Sequence, residues 1–239
     1  MKNIVLSFIC VLILGLSSCL GDKPANIQYY NNEPAIFMYS ATGLHMIETG
    51  TDKYLAPELA KLLEPLNVGD LLLTGFEVDL LNQTYRDVLT ASLSYIKRIY
   101  SSLAKPIIAD EITDYGDPIK MMFADIKPVR KLLFFFFLHD APEEQDYTYE
   151  MVYDDDSEEA SEVPTLFIRA KKTNHPGGNV TEILTCFGFD MTSFINQYQL
   201  SHLGSKTVSF DIRYYTGIDG DDGYKQLNAG SHISWEVGE

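Results

Sequence analysis

Leu132-Leu133-Phe134-Phe135-Phe136-Phe137-Leu138 is the stretch whose reading decides the fold. Seven apolar side chains in a row leave no polar face, so a strand made of them has to be covered on both sides. The run is too short to cross a bilayer core, which takes about 20 residues as a helix or about 9–11 as a strand. Downstream the pattern changes to alternation. Val208, Phe210, Ile212 and Tyr214 point one way while Ser209, Asp211 and Arg213 point the other. Ile233, Trp235 and Val237 against His232, Ser234 and Glu236 repeat this at the C-terminus, and Tyr147, Tyr149, Met151, Tyr153 and Ile183, Thr185, Phe187, Phe189 form two further rows. Turn-forming residues separate them, with Pro176, Gly177 and Gly178 between Asn174 and Asn179, and Gly220 and Gly223 in the stretch from Asp219 to Gly223. Successive strands of period two without helices between them predict an antiparallel β-sandwich over residues 119–239.

Upstream of the phenylalanines the signals are shorter. Ala35–Tyr39 and Leu44–Glu48 flank Ala41, Thr42 and Gly43 and read as two strands around a tight turn. Pro57 at a first helical position, Leu59, Leu62 and Leu63 at helical spacing and Pro65 as a stop predict a short helix. Asn67 to Asp70 reads as a turn before a long apolar strand, Leu71–Leu80. Tyr85–Leu103 fits both a helical stripe and an alternating strand; its β-branched residues tilt the first half toward strand. Lys105–Pro118 holds two prolines, Gly116 and four acids, the composition of a boundary. The chain therefore divides into a leader (1–18), a tether (19–32), a first domain (33–105), a linker (106–118) and the second domain (119–239).

The leader has its own physical signature. Met1-Lys2-Asn3 carries one positive charge, and Ile4–Leu16 has no ionisable group except the Cys10 thiol. That is a secretory signal, too short for a permanent span. It ends Leu16-Ser17-Ser18-Cys19, which looks like a lipobox, the site at which bacterial lipoproteins are acylated on the cysteine sulfur and cut just before it. Cys19 is thus the expected lipidation site. Cleavage removes Cys10 and leaves Cys186 as the only unmodified thiol, with no partner for an intramolecular disulfide. Cys186 lies in an alternating apolar run, which reads as a small core residue in preference to a nucleophile. Gly21–Gln28, polar with Pro24 and Asn26, reads as the flexible part of the tether. The three acyl chains usual for such lipoproteins would hold the protein firmly on a membrane.

The order of segments resembles a known family. The lipobox, then Lys53-Tyr54-Leu55-Ala56-Pro57-Glu58-Leu59, Val68-Gly69-Asp70 and a strand ending Phe76-Glu77-Val78-Asp79 resemble the N-terminal domain of NigD-like lipoproteins of Bacteroidota. Gly116-Asp117-Pro118-Ile119, Tyr149-Glu150-Met151 and Phe167-Ile168-Arg169-Ala170-Lys171-Lys172 fit the second domain. The resemblance implies a mainly-β chain, an OB-like barrel followed by a β-sandwich. It also implies a place in the cell envelope, at the outer membrane on its periplasmic face or at the cell surface, and a link to bacteriocin immunity or export. It carries over no catalytic residue.

Charge and motifs narrow the function. The 34 acidic and 18 basic side chains leave a formal charge of −16, which repels phosphate backbones, so nucleic acid is excluded as a partner even for an OB-like barrel. The histidines His45, His139, His175, His202 and His232 show no zinc spacing. His139 beside Asp140 reads as a surface turn, not a catalytic pair. There is no Gly-x-Ser-x-Gly and no phosphate-cradling glycine loop. Asp154, Asp155, Asp156, Glu158 and Glu159 offer calcium-type oxygens, yet the EF-hand positions for glycine and glutamate are occupied by Glu159 and Thr165. A solvated acidic loop is the default there, and a turn is the default for Asp219, Asp221 and Asp222. Tyr147, Tyr149 and Tyr153 read as packing residues before they read as an exposed sugar platform. These readings predict no cofactor, no metal and no enzymatic activity. A binding lipoprotein with an envelope protein as partner is expected first, a glycan- or small-molecule-binding lipoprotein second, and a hydrolase with an unrecognised cleft third.

Overall fold

The computed structural model describes residues 26–62, 64–83, 88–107, 116–154, 163–217, 223–227 and 232–236. The leader, Cys19, the acidic run 155–162 and Asp219–Asp222, on which the lipidation and calcium readings fall, lie outside the described residues.

The first unit comprises β1 (Ile27–Tyr39), β2 (His45–Thr49), β3 (Lys53–Leu55), a 3-10 turn at Pro57–Lys61, β4 (Leu71–Asp79), β5 (Leu89–Thr90) and β6 (Ser92–Arg98). They pair in the order β5-β3-β2-β1-β4-β6. The two ends of that order are one continuous piece of chain, because only Ala91 separates β5 from β6. Ala91 is buried and donates its N–H to Leu55 O at 2.8 Å. One bent segment therefore pairs in parallel with β3 and antiparallel with β4, curling the sheet back on itself as a small barrel. The curl is helped by two irregularities at one level. β1 carries an extra residue between Tyr30 and Glu33, with Asn32 in the left-handed region at φ 53°, and β4 shifts register at Gly75–Phe76. Tyr95 lies across Gly75, where a Cβ would stand 2.3 Å from the ring, and its hydroxyl bonds Asn32. Phe37, Ile47, Tyr54, Leu72, Phe76 and Val78 fill the interior.

β1 starts at Ile27, inside the range read as tether, because Ile27–Tyr30 pairs with Phe76–Asp79 and supplies Tyr30 to the core. The Tyr85–Leu103 ambiguity resolves, over its described part, into strand.

The second unit holds β7 (Tyr100–Ile107), β8 (Met121–Val129), β9 (Leu132–Pro142), β10 (Tyr147–Asp154), β11 (Thr165–Lys172), β12 (Val180–Asp190), helix α1 (Thr192–Ser201), β13 (Thr207–Tyr215), β14 (Tyr224–Gln226) and β15 (Ile233–Glu236). They form one curled sheet, β14-β13-β11-β10-β7-β12-β9-β8, with β15 also on β13. The mainly-β, two-part build is as read from the sequence, but the expectation of wholly antiparallel pairing is corrected. β7 runs parallel to both β10 and β12, and β11 runs parallel to β13. The cause is the origin of β7. It leaves the barrel through Ile99 and inserts into the middle of the second sheet, so residues 100–105, assigned by sequence to the first domain, pair in the second. Helix α1, absent from the sequence reading, sends Phe194 and Ile195 into the core of the curled sheet.

The phenylalanine run is the shared wall. β9 pairs with β12 from Leu132–Asp190 to Pro142–Val180 and with β8 on its other edge. Leu133, Phe135 and Phe137 face the second-unit core with Tyr149, Phe187 and Phe189. Phe134 and Phe136 face the opposite way and pack with Ile36, Leu71, Ile99, Val129 and Cys186, so the barrel covers that side. Gly188 makes the approach possible, since a Cβ there would sit 3.1 Å from Phe134 and 3.3 Å from Leu71. Cys186 is buried in this layer, as read from its neighbours. Phe135→Ala is expected to cost about 3–5 kcal/mol in urea unfolding, while Met121→Ala, on a residue 46% exposed, should cost less than about 1 kcal/mol. Equal losses would contradict the burial of this face of β9.

Candidate junction cleft and the buried histidine

Two places concentrate polar chemistry. The first is an open cleft of about 670 Å³ between the β2–β3 hairpin of the barrel and the β8–β9 turn, lined among others by Met46, Glu48, Thr51, Lys53, Leu89 and Arg130. The hairpin turn is held by the Thr49 hydroxyl, which donates to Asp52 O at 3.0 Å and accepts from the N–H groups of Thr51 and Asp52. That fixes the rim and leaves Glu48 facing the other unit. Across the cleft, Val129 pairs with Leu132, so Arg130 and Lys131 form a two-residue turn. Arg130 sits there at φ 57°, a left-handed conformation that favours glycine and costs an arginine energy. Its Nε and Nη2 both reach Glu48 Oε2, at 2.9 and 2.8 Å, and Lys53 Nζ lies 3.5 Å from Oε1. Glu48 is largely covered, its side chain 15% exposed, whereas Arg130 is 54% exposed.

This arrangement can orient one unit on the other and can offer charged and hydroxyl groups to a ligand. Because Arg130 is half in water, a double-mutant cycle of Glu48→Ala with Arg130→Ala should return a coupling no larger than about 1 kcal/mol, shrinking as salt is raised. A larger, salt-independent coupling would mean that the pair is closed off from solvent.

The second place is His139. The sequence reading put it on a surface turn beside Asp140; the structure places it inside β9 at 1% exposure. The strand simply continues past the phenylalanines, because its pairing with β12 runs on to Pro142. Strand alternation then sends His139 to the core side with Phe135 and Phe137, and Asp140 to the outer side. There Asp140 and Glu182 together hold Lys120, at 3.0 Å for Asp140, and these hydrogen bonds raise the ammonium pKa above its ordinary value. The imidazole stacks on Tyr147 at a ring separation of 3.9 Å. Its Nδ1–H donates to Pro118 O at 3.1 Å, and Nε2 accepts from the Tyr149 hydroxyl at 2.9 Å, which assigns the neutral tautomer. Burial lowers the His139 pKa, against the opposing pull of the Pro118 carbonyl, and burial raises that of Tyr149.

The remaining histidines are dispersed. His45 packs against Phe37 and Tyr39, His175 is exposed on a loop, His202 stacks on Tyr198 just beyond α1, and His232 bonds Asp211 at 2.8 Å. Among the described residues no three His, Cys, Asp or Glu side chains gather as a metal site. Tyr147, Tyr149 and Tyr153 belong to the core row, as expected of packing residues. The Glu48–Arg130 pair was missed, since its 82-residue separation leaves no local pattern.

Two curled β-sheets with a polar cleft at their junction define the class of molecule: a mainly-β, two-part chain. Solved structures with this architecture include an uncharacterized protein from Parabacteroides merdae, at 16% identity and a TM-score of 0.62 over 87% of this chain and 99% of that one. A candidate lipoprotein from Bacteroides fragilis follows at 9% identity and a TM-score of 0.58, over 89% and 98%. A NigD-like immunity protein from Bacteroides caccae matches at 10% identity and a TM-score of 0.54, over 88% and 98%. At these identities the likeness is one of fold. No family model and no curated protein matches the chain.

A folded-state histidine pKa below its unfolded value of 6.5 means that the unfolded chain takes up the proton first as pH falls. Stability is then complete above that value and declines as pH drops from about 7 to about 5. Melting temperatures across that range should fall for the wild type and fall less for His139→Gln. An identical slope in both would remove His139 as the cause.

Proposed function

We propose that the protein is a lipoprotein of the cell envelope, fastened through acylated Cys19, that works by binding another envelope protein and not by catalysis. The single observation that carries this reading is the agreement between two independent signals. The sequence ends its leader in Leu16-Ser17-Ser18-Cys19, and the fold extends over nearly the whole length of a candidate lipoprotein and a NigD-like immunity protein. An immunity-like or accessory role follows from that likeness. A protein of this kind acts by occupying a partner, which asks for a rigid shape and a specific surface more than for reactive groups. The two-sided burial of β9 supplies rigidity, and the junction cleft supplies a recessed polar surface. Anchorage at the outer membrane is the placement we assign, with nucleic acid excluded by charge.

One observation favours a second reading. The junction cleft brings the Thr51 hydroxyl, Asp52, Lys53 and Arg130 together beside Met46 and Leu89, a mixture suited to a glycan or another small polar molecule.

Metabolic labelling with a fatty acid should mark the wild-type protein and not Cys19→Ser, and detergent-solubilised wild type should capture a defined envelope protein. Unlabelled wild type would sink the anchor. Binding on a glycan array that Arg130→Ala abolishes, with no protein captured, would replace the first reading by the second.

A further inference from the structure

We propose that the turn after β4, carrying Leu80 and Leu81, is a lipid-contacting wedge that seats the barrel end-on against a zwitterionic membrane surface. The inference rests on the Cys19 anchor proposed above and deepens it, because it specifies how the tethered body faces the bilayer.

Leu80 and Leu81 are consecutive leucines in solvent, 41% and 78% exposed. Single exposed leucines are ordinary; this pair differs because hydrogen bonds hold the turn that carries it. Asp79 Oδ1 accepts from Leu81 N at 3.0 Å, Asn82 N at 3.2 Å and Asn26 Nδ2 at 2.8 Å, and Oδ2 accepts from Asn82 Nδ2 at 2.7 Å. These bonds, those from Asn82 and Asn26 foremost, hold the carboxylate pKa down at about 2. The Gln83 amide donates to Asp79 O, and its oxygen accepts from Thr90 N at 2.6 Å, tying the far side of the turn to β5. Tyr29, 42% exposed, pairs with Glu77, three residues before Leu80. An aromatic ring there stands at the height where tyrosines sit in a membrane interface.

The second observation is where the chain enters. Asn26 is bonded to the same Asp79 carboxylate, and its carbonyl accepts from Leu80 N at 2.8 Å. Cys19 lies seven residues earlier, and seven residues reach at most about 25 Å. The anchored segment therefore joins the barrel at the end that carries the leucine tip. The opposite end, with the Asn67–Asp70 turn, is separated from the tip by the length of β4, about 26 Å at the usual rise per strand residue. Glu77 and Asp79 flank the wedge, and the chain as a whole is acidic, so an anionic surface would be repelled and a zwitterionic one is the fitting partner.

The test uses the acylated protein with Leu81→Cys or, separately, Val68→Cys, a residue 66% exposed at the opposite end. Cys186 is buried and the Cys19 sulfur of the lipidated protein is taken up in a thioether to the lipid, so an environment-sensitive dye goes to the introduced thiol. In phosphatidylcholine and phosphatidylethanolamine vesicles, dye at position 81 should shift its emission to the blue and be quenched by chain-brominated lipid, and dye at position 68 should do neither. Solvent-like emission at both positions, in protein whose mass shows the acyl chains, overturns the wedge and leaves the anchor standing. A blue shift at 81 that brominated lipid does not quench means burial against protein and also overturns it. A mature mass without acyl chains removes anchor and wedge together.

Discussion

The structure depends on one requirement: the apolar run of β9 must be shielded on both faces. A strand with four consecutive phenylalanines exposes roughly equal apolar area to each side, and each fully buried side chain of this size is worth about 1.5–3 kcal/mol. One curled sheet can shield one face only. The other face is shielded by the barrel, through Ile36, Leu71 and Ile99. The two units are therefore parts of a single hydrophobic construction, and Gly188 marks the point where the barrel comes closest.

The polar groups follow from this packing. His139 is carried into the core because β9 extends beyond the phenylalanines, and it is tolerated there because both ring nitrogens find partners in Pro118 and Tyr149. A buried imidazole without those partners would cost about 1–3 kcal/mol for each unsatisfied atom. Glu48 and Arg130 sit at the edge of the same interface, where covering by the second unit leaves the carboxylate largely shielded. Their role there is alignment, since the net energy of such a pair is small.

Much of the architecture was legible in the sequence because it lies in period-two alternation and in one uninterrupted apolar run. Val208 to Tyr214 and Tyr147 to Tyr153 declare their buried faces directly, and Cys186 does so through its neighbours. What escaped was information that a local window does not hold. The parallel insertion of β7 depends on where the chain goes after Ile99, and Tyr100–Ile107 has the same composition whichever sheet accepts it. Helix α1 was hidden among strands because its buried apolar residues, Phe194 and Ile195, are few. His139 was misplaced by reading the strand's end from its composition, when the pairing with β12 sets that end. The candidate cleft was not legible at all, since its walls come from residues far apart in the chain.

The insertion of β7 couples the history of the chain to its final shape. The middle of the second sheet is supplied by residues that precede most of that sheet in synthesis, and β12, its neighbour, arrives some eighty positions later. Such long loop closures delay assembly. Until β12 arrives the emerging polypeptide carries an incomplete sheet with open edges, a state prone to sticking to other chains. A chain of this design would have reason to rely on holding factors until its last strands are made. It would also resist being divided: a cut near residue 105 would fall inside β7 and leave the second sheet without its central strand.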